Sequence, residues 1–162
     1  MPPWRIDISR RAGVPKIVPF ATLARSAVQA LEAADADRPA SLGIVLSDDD
    51  ELTELNQRHT GEEGPTDVLS FPLQVAGAQS DFALPPGQRP HLGDVVISVE
   101  RAIEQAREGR GGQTGDVRWS AADELRLLAV HGTLHVCGRD HAAPNDELEM
   151  RDLERRILQE KQ

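Results

Sequence analysis

Residues 120–141 read SAADELRLLAVHGTLHVCGRDH. Ser120 is an N-cap residue, and the helix it opens, Ala-Ala-Asp-Glu onward, reaches Cys137. Gly138 takes left-handed backbone without strain and ends that helix. His131 and His135 lie four apart, on one helical face, with β-carbons ~5–6 Å apart. Two imidazoles so placed both reach one metal ion at ~2.0–2.1 Å. Past Gly138 the chain can turn back and present His141 as a third nitrogen ligand. Three of the five histidines fall within this short stretch. Three neutral ligands leave a divalent ion its full charge and an open position, the pattern of a catalytic site. One zinc ion is the first expectation, and other divalent transition metals such as nickel, copper or iron accept the same ligands.

Neighbouring residues sort by direction. Cys137 follows His135 by two positions and so points away from the histidine face, toward core packing. Asp140, beside His141, is placed to orient a ligand imidazole through its second N–H. The histidine spacing equals that of metzincin peptidases, but those carry Glu directly after the first histidine as general base. Gly132 stands there, so the standard peptidase mechanism lacks its base.

Outward from this helix, the pattern alternates between strand and helix. Trp4, Ile6 and Ile8 alternate with polar residues, the period of a half-buried strand. Leu23, Ala27, Val28, Ala30 and Leu31 share a helical face between Ala21 and Ala34. Leu42 to Leu46 reads as a second strand. Ser47 then reads as the N-cap of a helix running to about Arg58, with acids from Asp48 to Glu51 at its positive end. Val68, Leu69 and Phe71 make a third strand and Asp94 to Val99 a fourth. Gln74 to Pro90, rich in Pro, Gly and Gln, reads as a loop, and His91 has no evident role. Glu100 to about Glu108 is helical, Gly109 to Gly115 is a polar linker, and Asn145 opens a last helix holding Leu148, Leu153, Ile157 and Leu158. The expected architecture is α+β: a single domain over residues 1–162, a mixed four-stranded sheet with about five helices, and a metzincin-like metal-binding helix.

Composition sets the class. The chain has 162 residues, enough for one core. With a single cysteine no intrachain disulfide forms, which fits a reducing, cytoplasmic setting. No apolar run approaches the ~18 residues of a membrane span. The net charge of -9 supplies no bulk basic footprint for nucleic acid. The charge is uneven: residues 1–30 hold five cations against one acid, and residues 31–67 hold eleven acids against two arginines. A basic N-terminal segment (Arg5, Arg10, Arg11) folded beside the metal cleft is one way for such a chain to approach RNA.

The stretch from His131 to His141 resembles the signature of the bacterial YbeY family of endoribonucleases and rRNA maturation factors. Leu55-Asn56, the segment Pro65 to Phe71, the segment Gly93 to Ser98, and Met150 agree with it in order. The resemblance implies one zinc on His131, His135 and His141, and cleavage of single-stranded rRNA in 3′-end maturation of small-subunit (16S) rRNA and in ribosome quality control. The partners it implies are the ribosome and small-subunit assembly proteins. A non-catalytic metal-containing assembly factor, or another zinc hydrolase, are the other readings. The chain departs from the family at His59-Thr60, where an aromatic-arginine pair is usual, and at Arg139, where an aromatic is usual. Threonine cannot neutralise charge on phosphate, so Arg139 is the candidate to supply the missing cation, with Arg58 a weaker one and His59 a possible phosphate contact.

Overall fold

The computed structural model describes residues 3–36, 38–60, 66–73, 90–107, 120–138, 154 and 156–157, without the side chains of residues 59 and 60. Its elements are β1 (Trp4–Arg10), α1 (Phe20–Ala33), β2 (Ala40–Ser47), α2 (Asp49–Thr60), β3 (Val68–Pro72), β4 (His91–Ser98), α3 (Val99–Arg107) and α4 (Ala121–Val136). Glu154, Arg156 and Ile157, in the stretch expected as a fifth helix, are helical as well. The sheet order is β1-β2-β4-β3. β1, β2 and β4 run parallel, and β3 pairs antiparallel with β4. The mixed four-stranded sheet and the α+β class agree with the sequence.

Periodicity explains the layers. β1 is an edge strand with alternating burial, whereas the interior strand β2 is buried along almost its whole length. Ile8, Ile44, Val95 and Ser70 stand in one row across the four strands. That face receives the helices: α4 packs on β3 and β4, and α1 and α3 flank it. Leu23, Ala27 and Leu31 of α1 join Leu125, Leu128 and Ala129 of α4 over Leu42, Ile44 and Ile97 to form the core. Arg38-Pro39 is a cis peptide before β2.

Three local expectations are corrected. Asp48, not Ser47, caps α2: its Oδ1 accepts from the N–H of Glu51 at 2.9 Å. Ser47 still belongs to β2, and its hydroxyl donates to the Glu51 carboxylate. Second, β4 begins at His91 rather than Asp94. The pairing slips between Ser41 and Leu42, so that Ser41 faces His91 and Leu42 faces Gly93. The extra residue puts His91 and Asp94 on the same face. His91 therefore has a role: Nδ1 lies 2.7 Å from Ser41 Oγ and Nε2 lies 2.9 Å from Asp94 Oδ1. Third, the basic N-terminal residues do not flank the cleft side of the sheet. β1 is the edge opposite β3, Arg5 pairs with Asp7, and Arg11 pairs with Glu51.

Candidate metal centre

α4 is fixed at both ends. The Ser120 hydroxyl accepts from the N–H of Asp123, and the Asp123 carboxylate accepts from the N–H of Ser120, each at 3.1 Å. This reciprocal box satisfies two otherwise orphaned donors. At the other end Gly138 has φ +90° and its N–H donates to the His135 carbonyl at 3.0 Å. The turn expected there is present. Cys137 is partly buried against the core, as its direction implied.

The helix brings His131 and His135 together. Their ring centres are 4.5 Å apart, the planes meet at 63°, and the two Nε2 atoms are 3.0 Å apart. Two donors bound to one tetrahedral ion at ~2.0–2.1 Å stand about 3.3 Å apart, so the pair fits a shared cation with a small adjustment. His131 is also held from behind. Its Nδ1–H donates to Glu154 Oε2 at 2.5 Å. A carboxylate only accepts, so the proton sits on Nδ1 and Nε2 is the ring's acceptor atom, the one that would face an ion.

Glu154 is a residue of this candidate site that the sequence pattern did not single out. It is 7% exposed, so its carboxylate is committed to the interior. Ile157, three positions on, packs against Leu127, Val130 and Leu134 of α4 and Ala30 of α1. Residues three apart share a helical face, so docking Ile157 delivers Glu154 to His131. An acid three residues before an apolar anchor was the available signal. Among the described residues no third His, Cys, Asp or Glu completes a metal-holding group. His141, Arg139 and Asp140 lie outside the described residues, as do the side chains of His59 and Thr60. Arg58 pairs with Glu54 at 2.5 Å on the exposed side of α2.

Gly132 acquires a structural reason. A β-carbon there would lie 2.5 Å from Val95 Cγ1, 3.1 Å from Val68 Cγ2 and 3.3 Å from Ser70 Oγ. The position points into the sheet, so α4 rides close on β3 and β4 only because it is glycine. Ser70 Oγ donates to the Gly132 carbonyl at 2.9 Å and ties the strand to the helix. A side chain at residue 132 would meet the sheet before it could serve as a base.

The histidines open on a cleft of about 450 Å³, lined by Thr66, Asp67, Val68, Leu69, Ser70 and Pro72 from the β3 side. Gln105 Nε2 donates to Asp67 Oδ2 at 3.4 Å and steadies that carboxylate at the mouth. The arrangement offers two nitrogen ligands with one ring oriented, a strand alongside, and room for an extended substrate.

Comparison with known proteins supports the resemblance to the YbeY family. The family model described as Endoribonuclease YbeY matches residues 10–162. A protein of Parvibaculum lavamentivorans named Endoribonuclease YbeY is 40% identical over 156 residues, 96% of this chain and 80% of its own length. Its namesake in Roseiflexus sp. is 38% identical over 159 residues, 94% of this chain and 93% of its own. That of Beutenbergia cavernae is 41% identical over 140 residues, 86% of this chain and 84% of its own. A solution structure from Thermotoga maritima shares the fold, with a TM-score of 0.57 at 24% identity, over 98% of this chain and 88% of that one.

Proposed function

The chain belongs to the endoribonuclease YbeY family, and on that premise we propose that it is a metal-dependent endoribonuclease that cuts single-stranded RNA in 3′-end maturation of 16S rRNA and in ribosome quality control. The observation that carries this reading is the Nε2 pair of His131 and His135, 3.0 Å apart, with Nδ1 of His131 anchored on Glu154 and a cleft in front. The domain is the whole of residues 1–162. His131, His135 and His141 hold one zinc ion, on a metzincin-like helix. Such an ion supplies Lewis-acid chemistry at a phosphoryl oxygen and lowers the pKa of water.

The chain's own residues do the rest. Glu154 sets the tautomer and direction of His131. Asp140 does the same for His141. Arg139 offers positive charge to the scissile phosphate in place of the arginine missing at Thr60. The partners are rRNA, the ribosome and small-subunit assembly proteins, and the setting is the cytoplasm. No described helix is long and apolar enough to cross a membrane.

The test is cleavage of a single-stranded RNA carrying the 3′ end of small-subunit rRNA. Wild type, His135→Ala and chelator-stripped wild type are purified alike, and zinc content is measured in each. Cleavage by wild type alone, restored to the stripped protein by zinc, is expected. Equal cleavage by His135→Ala would overturn the metal assignment. No cleavage by zinc-loaded wild type would overturn the nuclease reading in favour of an assembly factor.

A further inference from the structure

The β3–β4 ladder decides which backbone groups of β3 face outward. The Asp67 carbonyl accepts from the N–H of Ser98 at 2.9 Å, and the N–H of Leu73 donates to the Leu92 carbonyl at 3.0 Å. Both bonds obey the register that pairs Val68 with Ile97 and Ser70 with Val95. In an antiparallel pair, hydrogen-bonded residues alternate with residues whose N–H and C=O point away. Leu69 and Phe71 therefore bond toward β4. Val68 and Ser70 turn their N–H and C=O groups to the other side, where no strand pairs among the described residues. Pro72, next in the outward set, has no N–H, which stops further strand addition at that end.

We propose that this outward edge, unpaired among the described residues, is the track that holds single-stranded RNA across the metal site, its phosphate oxygens accepting from the N–H groups of Val68 and Ser70 and its base or ribose donors bonding to their carbonyls. The proposal rests on the nuclease reading above and adds the surface that binds the substrate. Two observations support it. Val68 and Ser70 line the same cleft as His131 and His135. The charge does not favour a polyanion here: β3 carries no cation, Asp67 adjoins it, and the whole chain has a net charge of -9, so the hold on phosphate has to come from neutral main-chain donors. The Ser70–Gly132 hydrogen bond and the close approach at Gly132 set the edge at a fixed distance from the histidines, so the track is preorganised.

The edge also explains a preference for single strands. Val68 and Ser70 are ~6.6–6.8 Å apart along the strand. Only one extended strand can lie along so short a rail with its base edges free to bond. A duplex curves away and has its base edges paired.

The experiment replaces single backbone amides by esters, through α-hydroxy acids at residue 68, 69 or 70 of the full chain. Binding of a fluorescein-labelled oligouridylate is measured in the His135→Ala background, and cleavage in the wild-type background. An ester at residue 68 or 70 is expected to weaken Kd about fivefold, the size of one ordinary hydrogen bond. KM rises with it, kcat stays close to wild type, and the melting temperature falls less than with an ester at residue 69, because the outward esters only weaken the Asp67 or Leu69 carbonyl in the ladder. An ester at residue 69, whose N–H serves the ladder, lowers the melting temperature most and moves Kd less than the outward esters do, since it only weakens the outward Val68 carbonyl. Ser70→Pro, paired with Ser70→Ala to account for the lost hydroxyl, checks the same N–H by a second route. Unchanged Kd with esters at both outward positions overturns the track, even if wild type cleaves RNA. That includes the outcome in which the same esters weaken capture of an extended peptide instead. Failure of wild type to cleave overturns the nuclease reading separately.

Discussion

The carboxylate of Glu154 meets Nδ1 of His131 at 2.5 Å across 23 positions of chain. A buried acceptor behind a ligand imidazole fixes its tautomer and its direction. Glu154→Ala is expected to weaken zinc binding 10–100-fold, the usual effect of losing such a partner. Glu154→Gln, which keeps an acceptor oxygen without the charge, should fall between the two. Competition with a chromogenic chelator measures this without reference to catalysis.

Gly132 separates packing from chemistry. Gly132→Ala places a methyl 2.5 Å from Val95 Cγ1. The helix must lift or Val95 must turn, at about 1–3 kcal/mol. Urea unfolding should show the loss. Zinc stoichiometry should remain that of wild type, because neither histidine is touched.

Glu51 ties stability to pH. The hydrogen bond from the Ser47 hydroxyl, and then the bond and charge of Arg11, hold its pKa below the usual carboxylate range. A depressed folded pKa means that the stabilisation is present above the unfolded value and is lost as pH falls through the folded one. The stability difference between wild type and Glu51→Gln should therefore be largest near neutrality and should shrink between about pH 5 and pH 3. Because the side chain is a third exposed, the effect should stay below about 1 kcal/mol. Urea titrations at several pH values would measure it.

The Ser41–His91–Asp94 chain offers a coupled pair. Ser41 is 2% exposed, so His91→Ala leaves its hydroxyl buried without that partner, at about 1–3 kcal/mol. Removing both, as Ser41→Ala with His91→Ala, takes away the orphan as well. The double variant should be more stable than the sum of the single losses predicts. Thermal or urea unfolding of all four chains closes the cycle.

What the sequence disclosed follows the range of the forces involved. The spacing of His131 and His135 is local, and the helix carries it into space directly. So are the Gly138 turn, the alternation of Trp4, Ile6 and Ile8, and the apolar stripe of Leu23, Ala27 and Leu31. Ser47 and Asp48 are both competent caps, and the choice depended on where β2 stops pairing. His91 was hidden because one extra residue in β4 breaks the alternation that marks a strand. Glu154 was hidden for a different reason: only the docking of Ile157 on α4 brings it to His131. The outward edge of β3 depends on strand order, which periodicity does not encode. Asp140 and Arg139 were read from proximity to His141 along the chain, the same local logic that passed over Glu154.

The dependence on Glu154 has a consequence for the newly made chain. A polypeptide emerging from its N-terminus completes the sheet and α4 first, and both helical histidines are then in place. Glu154, the carboxylate that orients His131, is still to be synthesised. If these residues hold an ion as proposed, its tight capture is among the last events of maturation, and a bound ion marks a chain whose distant segments have already found one another.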